Sequence, residues 1–225
     1  MLGNPVSFIQ SNHASLSGTP VTPQRPLVGG TALFWMAKRV FDVSFSLLLF
    51  IPFLICAAAL LILNPFWNAG TLFYTQRRMG KDCKPFTAIK FRSMRAVAKV
   101  TRGAEDPIEL DRITHLGRFI RQSRIDELPQ ILNVLKGDMS LIGPRPDYYT
   151  HAEAYLGQIP DYQARHVVRP GISGLAQVDV GYVEGTGGTR TKVRADLRYI
   201  KEAGVALEVE VFWKTLATVL GQKGC

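Results

Sequence analysis

Cysteine is scarce in this 225-residue chain, with three residues at positions 56, 83 and 225. Neither their number nor their spacing makes a disulfide framework or a zinc site, so both are excluded, and the bulk of the chain is expected to face a reducing cytosol. Acidic side chains are outnumbered: 18 aspartates and glutamates stand against 27 lysines and arginines, a formal net charge of +9. Such a balance suits a polyanionic neighbour, either anionic lipid headgroups, phosphorylated substrates or nucleic acid. The arginines lack a recognition-helix pattern and interleaved stacking aromatics, which argues against nucleic acid as the partner. Charge is nearly missing from residues 1–30, where Arg25 is the one charged side chain. With Ser, Pro, Gly and Thr abundant and no sustained period, this stretch predicts a flexible tail, bounded at residue 36.

Beyond the tail the chain turns apolar. The run from Val43 to Leu63, VSFSLLLFIPFLICAAALLIL, holds 21 residues without a formal charge. At about 1.5 Å per residue it reaches roughly 30 Å, one hydrocarbon thickness. A cleaved signal peptide is disfavoured, since about 40 residues precede the run and no small-residue cleavage site comes after it. Lys38 and Arg39 precede the run, and Arg77, Arg78 and Lys81 come after it. The positive-inside bias therefore pulls both flanks to the cytoplasm, which one straight span cannot satisfy. Pro52, near the middle, removes an N–H and would bend a helix. A bent segment entering and leaving by one face meets both constraints if Ser44, Ser46 or protein contacts satisfy the freed backbone groups. Proline kinks also occur in ordinary spans, and on physics alone the two arrangements stay open. The membrane element is set at residues 37–66 and a globular domain at 67–225.

Within that domain, Thr71–Gln76 and Phe86–Phe91 alternate as short strands about the turn-like Met79-Gly80-Lys81-Asp82, placing Lys90 and Arg92 at a strand end. Residues 95–111 lack a period and predict a surface loop. A helix is expected from Arg112, with Ile113, Leu116 and Ile120 on one face and Arg118 and Arg121 on another. The next is expected to start at the Asp126-Glu127 pair, with Pro129 in its first turn, an apolar stripe at Ile131, Leu132, Val134 and Leu135, and a stop at Gly137. At a helix N-terminus Asp126 should be ionised and available as nucleophile or metal ligand. A bare pair of this kind is ordinarily an N-cap with acidic company. Its surroundings argue for more: Arg121 and Arg124 stand upstream, and Arg145 lies between two prolines, pre-organised for bidentate contact with phosphate.

Six ordered motifs, KRVFD (38–42), YTQRRMG (74–80), KFRSM (90–94), RIDELPQILNVLKGDMSLIGPRP (124–146), RHVVRPGISGLAQV (165–178) and DLRYI (196–200), together resemble the bacterial sugar transferases, also called monotopic phosphoglycosyl transferases. The resemblance covers about residues 36–220 and looks like the short form of that family. It implies an α+β fold: a small mixed helical catalytic domain with a short β-hairpin, a re-entrant membrane helix bent at Pro52, and interfacial amphipathic helices. It also implies an undecaprenyl-phosphate sugar phosphotransferase. Such an enzyme moves a sugar-1-phosphate from a UDP-sugar to polyprenol phosphate, releases UMP, and begins the synthesis of a surface glycan. By this resemblance Asp126 is the nucleophile that forms a phosphoryl-aspartate, and Glu127 with Asp126 holds Mg²⁺. Arg121 and Arg145 match positions that contact phosphate, with Lys90 and Arg169 as further candidates. Expected partners are UDP-galactose or UDP-glucose, polyprenol phosphate, membrane lipids and a second copy of the chain. The expected location is the cytosolic face of the bacterial inner membrane. One departure is that relatives commonly carry Ser-Pro at the bend where this chain has Ile51-Pro52.

The Arg169-Pro170-Gly171-Ile172-Ser173-Gly174 segment reads as a turn suited to ligand approach or to chain reversal. Glycines at 181, 185, 187 and 188 suggest a mobile flap over 179–192. From Leu207 to Leu220 a helix is expected, lying at headgroup level or in the core. The rival class is a membrane-tethered scaffold or regulator of glycan assembly, which would use the basic surface only for binding and release no UMP.

Overall fold

The computed structural model describes residues 27–95, 109–181, 183 and 185–221. Residues 1–26 of the expected tail, residues 96–108 of the expected loop and Cys225 lie outside the described residues; residues 32–36, assigned to the tail, are helical, and Leu110–Arg112, at the end of the expected loop, is a 3₁₀ turn. Thr31 starts the first helix: its hydroxyl accepts from the Phe34 amide at 3.1 Å, and α1 runs Ala32–Leu48. After Leu49, α2 runs Phe50–Trp67, so the apolar run lies in one long interrupted helix. The interruption is at Leu49, whose ψ of −9° departs from the helical value near −42°. Pro52 is the third residue of α2, and its ring excludes a regular turn around the carbonyl four residues earlier. The Ser46 hydroxyl, expected to satisfy freed backbone groups, is buried and makes no hydrogen bond among the described residues. Pro65, which no pattern in the sequence singled out, sits inside α2.

The hairpin is as expected in kind and shifted in bounds: β1 (Phe73–Met79) pairs antiparallel with β2 (Pro85–Phe91), Tyr74 facing Lys90. The helix expected from Arg112 starts three residues later. Thr114 caps it by accepting from the Gly117 amide at 2.9 Å, and α3 spans His115–Gln122. Ile113 instead forms an isolated bridge with Met94. Arg118 is exposed, as a solvated face requires. Gly117 allows the Ser93 carbonyl to approach, since a Cβ there would meet that oxygen at 1.9 Å.

The Asp126-Glu127 pair lies in a 3₁₀ segment, Ile125–Gln130, and α4 (Ile131–Lys136) begins only after it, stopping at left-handed Gly137. Next come β3 (Ser140–Ile142), α5 (Tyr149–Gln158) and β4 (Gly171–Ser173). β3 and β4 pair in parallel, which no periodicity announced. Gly171 makes the pairing feasible: a Cβ would stand 2.1 Å from the Gly143 amide nitrogen. The segment read as a turn is therefore a strand in close backbone contact. Last come α6 (Leu175–Asp179), α7 (Gly185–Lys201) and α8 (Val205–Leu220). The expected flap over 179–192 is overturned, because residues 185–192 are the opening turns of α7. Val193, Tyr199 and Ile200 further along that helix are buried in the core and hold it in register.

One stripe of α1–α2 faces this body. Lys38, Asp42, Ser46, Phe53, Leu60 and Asn64 are buried at intervals of four or seven, the spacing of one helical face. Leu33, Met36, Leu47, Leu48, Ile51, Ile55, Ile62 and Phe66 stay exposed on the other side. The KRVFD motif ties α1 down. Lys38 pairs with Glu208 of α8 at 2.7 Å, and the Asp42 carboxylate accepts from the Ser140 hydroxyl at 2.7 Å and the Leu141 amide at 3.1 Å. Arg39 donates to the carbonyls of Val134 and Leu135, capping the C-terminal end of α4. At the far end Arg92 donates to the carbonyls of Asn68 and Ala69, and the Asn68 amide returns a bond to Arg92 O at 2.7 Å. Phe53 and Leu60 pack with Phe91, Ile120 and Ile131 between these ties. Both ends of the apolar helix thus rest on the same folded domain.

Candidate active site

Two segments converge on Glu127. Lys90, at the end of β2, donates to its Oε1 at 2.7 Å, and Arg145, from the loop after β3, grips both carboxylate oxygens, with Nη1 to Oε2 at 3.1 Å. Fork-to-carboxylate contact of this kind is strong and directional. Burial pushes Glu127 up, but the charges of Arg145 and Lys90 override it and hold the carboxyl well below the usual range. Asp126 is equally buried, yet its carboxylate accepts no hydrogen bond among the described residues. Burial raises its pKa; Lys90 pulls it down, Glu127 pushes it up, and Arg121 and Arg145 pull it down less. The expectation of an α-helix N-terminus at the pair is corrected. The turn is 3₁₀, and loss of water outweighs any dipole. Two adjacent carboxylates are thereby driven apart in acidity, one held as an anion, one left reactive.

Arg124, just before the pair, is left-handed at φ 57°. For a side chain other than glycine this costs on the order of 1 kcal/mol. Arg121 extends from α3 with its guanidinium 3.9 Å from the Met94 sulfur, close enough to act on Asp126 electrostatically. Arg169 is not brought to this cluster. It donates to the Gly137 carbonyl at 3.0 Å and lines a separate cavity of about 240 Å³ with Arg39, Lys81 and Tyr199.

The donor set can be tested against Mg²⁺. No group of three or more His, Cys, Asp or Glu side chains is clustered among the described residues, so the protein offers no closed cage. Mg²⁺ is commonly held by one or two carboxylates with substrate phosphate completing its shell, and Asp126 with the remaining lone pair of Glu127 fits that role.

A family model, bacterial sugar transferase, matches residues 33–222. The chain belongs to this family. Among the family's members, UDP-N-acetylgalactosamine-undecaprenyl-phosphate N-acetylgalactosaminephosphotransferase of Aeromonas hydrophila is 42% identical over 192 residues, 84% of this chain and 44% of the relative. UDP-glucose:undecaprenyl-phosphate glucose-1-phosphate transferase of Escherichia coli K12 is 35% identical over 218 residues, 93% of this chain and 46% of its own length. The Caulobacter vibrioides protein of the same name is 38% identical, covering 82% of this chain and 70% of the relative. The chain therefore spans about half the length of the first two.

Several residues in the family motifs had no assigned role until the fold showed one. Arg78, in YTQRRMG, donates to the Pro146 carbonyl, and Arg165, in RHVVRPGISG, donates to the Arg145 carbonyl at 2.8 Å. Together they clamp the Gly-Pro-Arg-Pro loop from two sides. Burial, and then Arg145, lower the Arg78 pKa to about 10. Arg165 also bonds Asp147 and Asp196, and Tyr162 donates to Asp147 at 2.7 Å. Arginines inside ordered motifs but absent from the carboxylate neighbourhood were the available signal.

Proposed function

We propose that this chain transfers a sugar-1-phosphate from a UDP-sugar to polyprenol phosphate through a phosphoryl-aspartate on Asp126. The observation that carries this reading is the contrast within the pair. Glu127 is held by Lys90 and Arg145 through three hydrogen bonds, whereas the adjacent, equally buried Asp126 keeps its lone pairs free. A structural carboxylate would be bonded as Glu127 is. In the first displacement an Asp126 oxygen attacks the sugar-bearing phosphorus, forming a P–O bond as the bond to UMP breaks. In the second, a phosphate oxygen of the acceptor attacks the same phosphorus and frees Asp126, giving the polyprenyl diphosphate sugar. Arg145 and Lys90 hold Glu127 in place and offer positive charge beside the transferred group, with Arg121 on the other side. Mg²⁺, held by Asp126 and Glu127, would neutralise diphosphate charge.

The donor is a UDP-sugar. UDP-galactose and UDP-glucose, expected from the sequence, stand beside UDP-N-acetylgalactosamine, which the name of the Aeromonas relative carries. Purified protein in detergent with polyprenol phosphate and a panel of UDP-sugars is expected to release UMP with one preferred donor. EDTA should stop this and added Mg²⁺ restore it. No UMP from any donor would favour the scaffold reading, and full activity in EDTA would remove the metal.

The same reading places the catalytic domain at the cytosolic face of the inner membrane, with α1–α2 re-entrant. Lys38 and Asn68 both bond to one folded body, yet about 30 helical residues separate them, roughly 45 Å against a hydrocarbon core of about 30 Å. A straight span would carry charged parts of the domain through the bilayer. Exposed Val205, Val209 and Trp213 along α8 suit the headgroup level beside it. Single cysteines at Leu27 and Lys84, in a chain without its native three, are expected to resist an impermeant thiol reagent in intact cells and to react after lysis. Labelling of position 27 alone from outside would establish a straight span.

A further inference from the structure

An open groove of about 210 Å³ runs between α1, the Ile125–Gln130 turn and α8. Its walls are mostly hydrocarbon, with Phe45, Leu49, Leu128, Ile131, Phe212 and Val219 among them, and Ser173, Gln177, Thr215 and Thr218 are the polar exceptions. Phe41 belongs both to this wall and to the exposed apolar face of α1, so the groove is continuous with that face. At the turn, the lining changes to Glu127 and Arg124. The Arg124 guanidinium has no hydrogen-bond or ion-pair partner among the described residues, while those of Arg39, Arg78, Arg145 and Arg165 are all engaged. A mainly hydrocarbon trough ending in one free cation beside Glu127, next in the chain to Asp126, offers few partners for the polar edges of a uracil, a ribose or a sugar. It suits a ligand with one anionic end and a long apolar remainder.

We propose that this groove is the acceptor subsite: the first isoprene units lie against Phe45, Leu128, Phe212 and Val219, and Arg124 holds the acceptor phosphate. This rests on the transferase reading above. The attacking phosphate oxygen then approaches Asp126 from the α8 side, leaving the Arg121 side for the diphosphate of the donor. Arg124 thus serves the second displacement and not the first. Its left-handed backbone, which glycine would adopt without strain, fits a position kept for its side chain.

The test separates the two half-reactions in the detergent-solubilised full chain. Without acceptor, wild type and Arg124→Gln are both expected to show one equivalent of UMP burst and the same KM for the UDP-sugar. With acceptor, Arg124→Gln should raise the KM for polyprenyl phosphate about tenfold or more, as loss of a charge-assisted contact implies. Val219→Trp, which fills the groove, should do likewise, whereas Val209→Trp on the exposed side of α8 should not. Acceptor KM unchanged in both groove variants, with wild type turning over, would overturn the proposal. So would a lost burst in Arg124→Gln, which would assign that arginine to the donor. Phosphatidic acid at equal mole fraction should leave the acceptor KM unchanged. Competitive inhibition that disappears in Arg124→Gln would reassign the groove to phosphorylated lipids in general. A wild type without burst or turnover would instead remove the transferase reading itself.

Discussion

Asp126→Asn is expected to bring turnover to background, a loss on the order of 10⁴-fold or more, because the amide keeps the shape but has no anionic oxygen to attack phosphorus. The fold should not suffer. The Asp126 carboxylate accepts no hydrogen bond among the described residues, so none is forfeited. Burial raises its pKa, which means that the folded state penalises the anion relative to the unfolded chain. That penalty is present above the ordinary carboxylate pKa and vanishes as pH falls below it, so at neutral pH the amide should hold or raise the melting temperature. The same direction puts the acid limb of the wild-type pH–rate profile above that of an ordinary carboxylate. UMP assay, thermal melting and intact mass after incubation with donor alone check these together. The wild type should gain the mass of one phosphosugar, and Asp126→Asn should gain none. Residual turnover above a small background would exclude the covalent route through this residue.

The second large effect is on stability. Arg165 is buried with Asp147, Asp196, Tyr162 and the Arg145 carbonyl around it. Burial, joined by the Asp147 charge, raises Asp196, and even with Arg165 beside it the pKa stands at about 6. Arg165→Met leaves the buried Asp196 and the partly buried Asp147 without their cation and is expected to cost about 3 kcal/mol, a large share of the stability of a domain this size. Denaturant unfolding would measure it, and a loss under about 1 kcal/mol would show the network to be dispensable. Because Asp196 and Asp147 would then take up protons, the loss should shrink at low pH: neutral carboxyls tolerate the missing cation. The Arg145 loop would also lose one of its two clamps, so activity should fall in whatever fraction remains folded.

Much of the site could be read from the sequence because its parts sit in dense, ordered motifs. The alternation of Phe86–Phe91 placed Lys90 on a strand, and the Arg145 loop between two prolines marked itself. The body-facing role of Lys38, Arg39 and Asp42 could not be read in the same way. Basic residues before an apolar run look like topogenic charges, and their partners, Glu208, Val134 and Ser140, are far away in sequence. The β3–β4 pair escaped because three-residue strands show no period. Glycine at 185, 187 and 188 suggested a loose flap, but packing of Val193 and Ile200 overrode the weak local propensity. The pull of burial on Asp126 could not be read, because burial is a property of the assembled fold, which the local chemistry of a helix end does not contain.

The tie between Lys38 and Glu208 spans 170 positions of chain. During synthesis the apolar helix leaves the ribosome with its lysine and aspartate in hand and without the glutamate of α8 or the serine of β3. At about 5–20 residues per second, roughly 10–30 s pass before that glutamate is made. Through that interval the helix carries polar groups on the very stripe that will later be dry, and its resting place is provisional. Its docking is the closing event of biogenesis, and a chain truncated before α8 would leave the anchor without its last fastening.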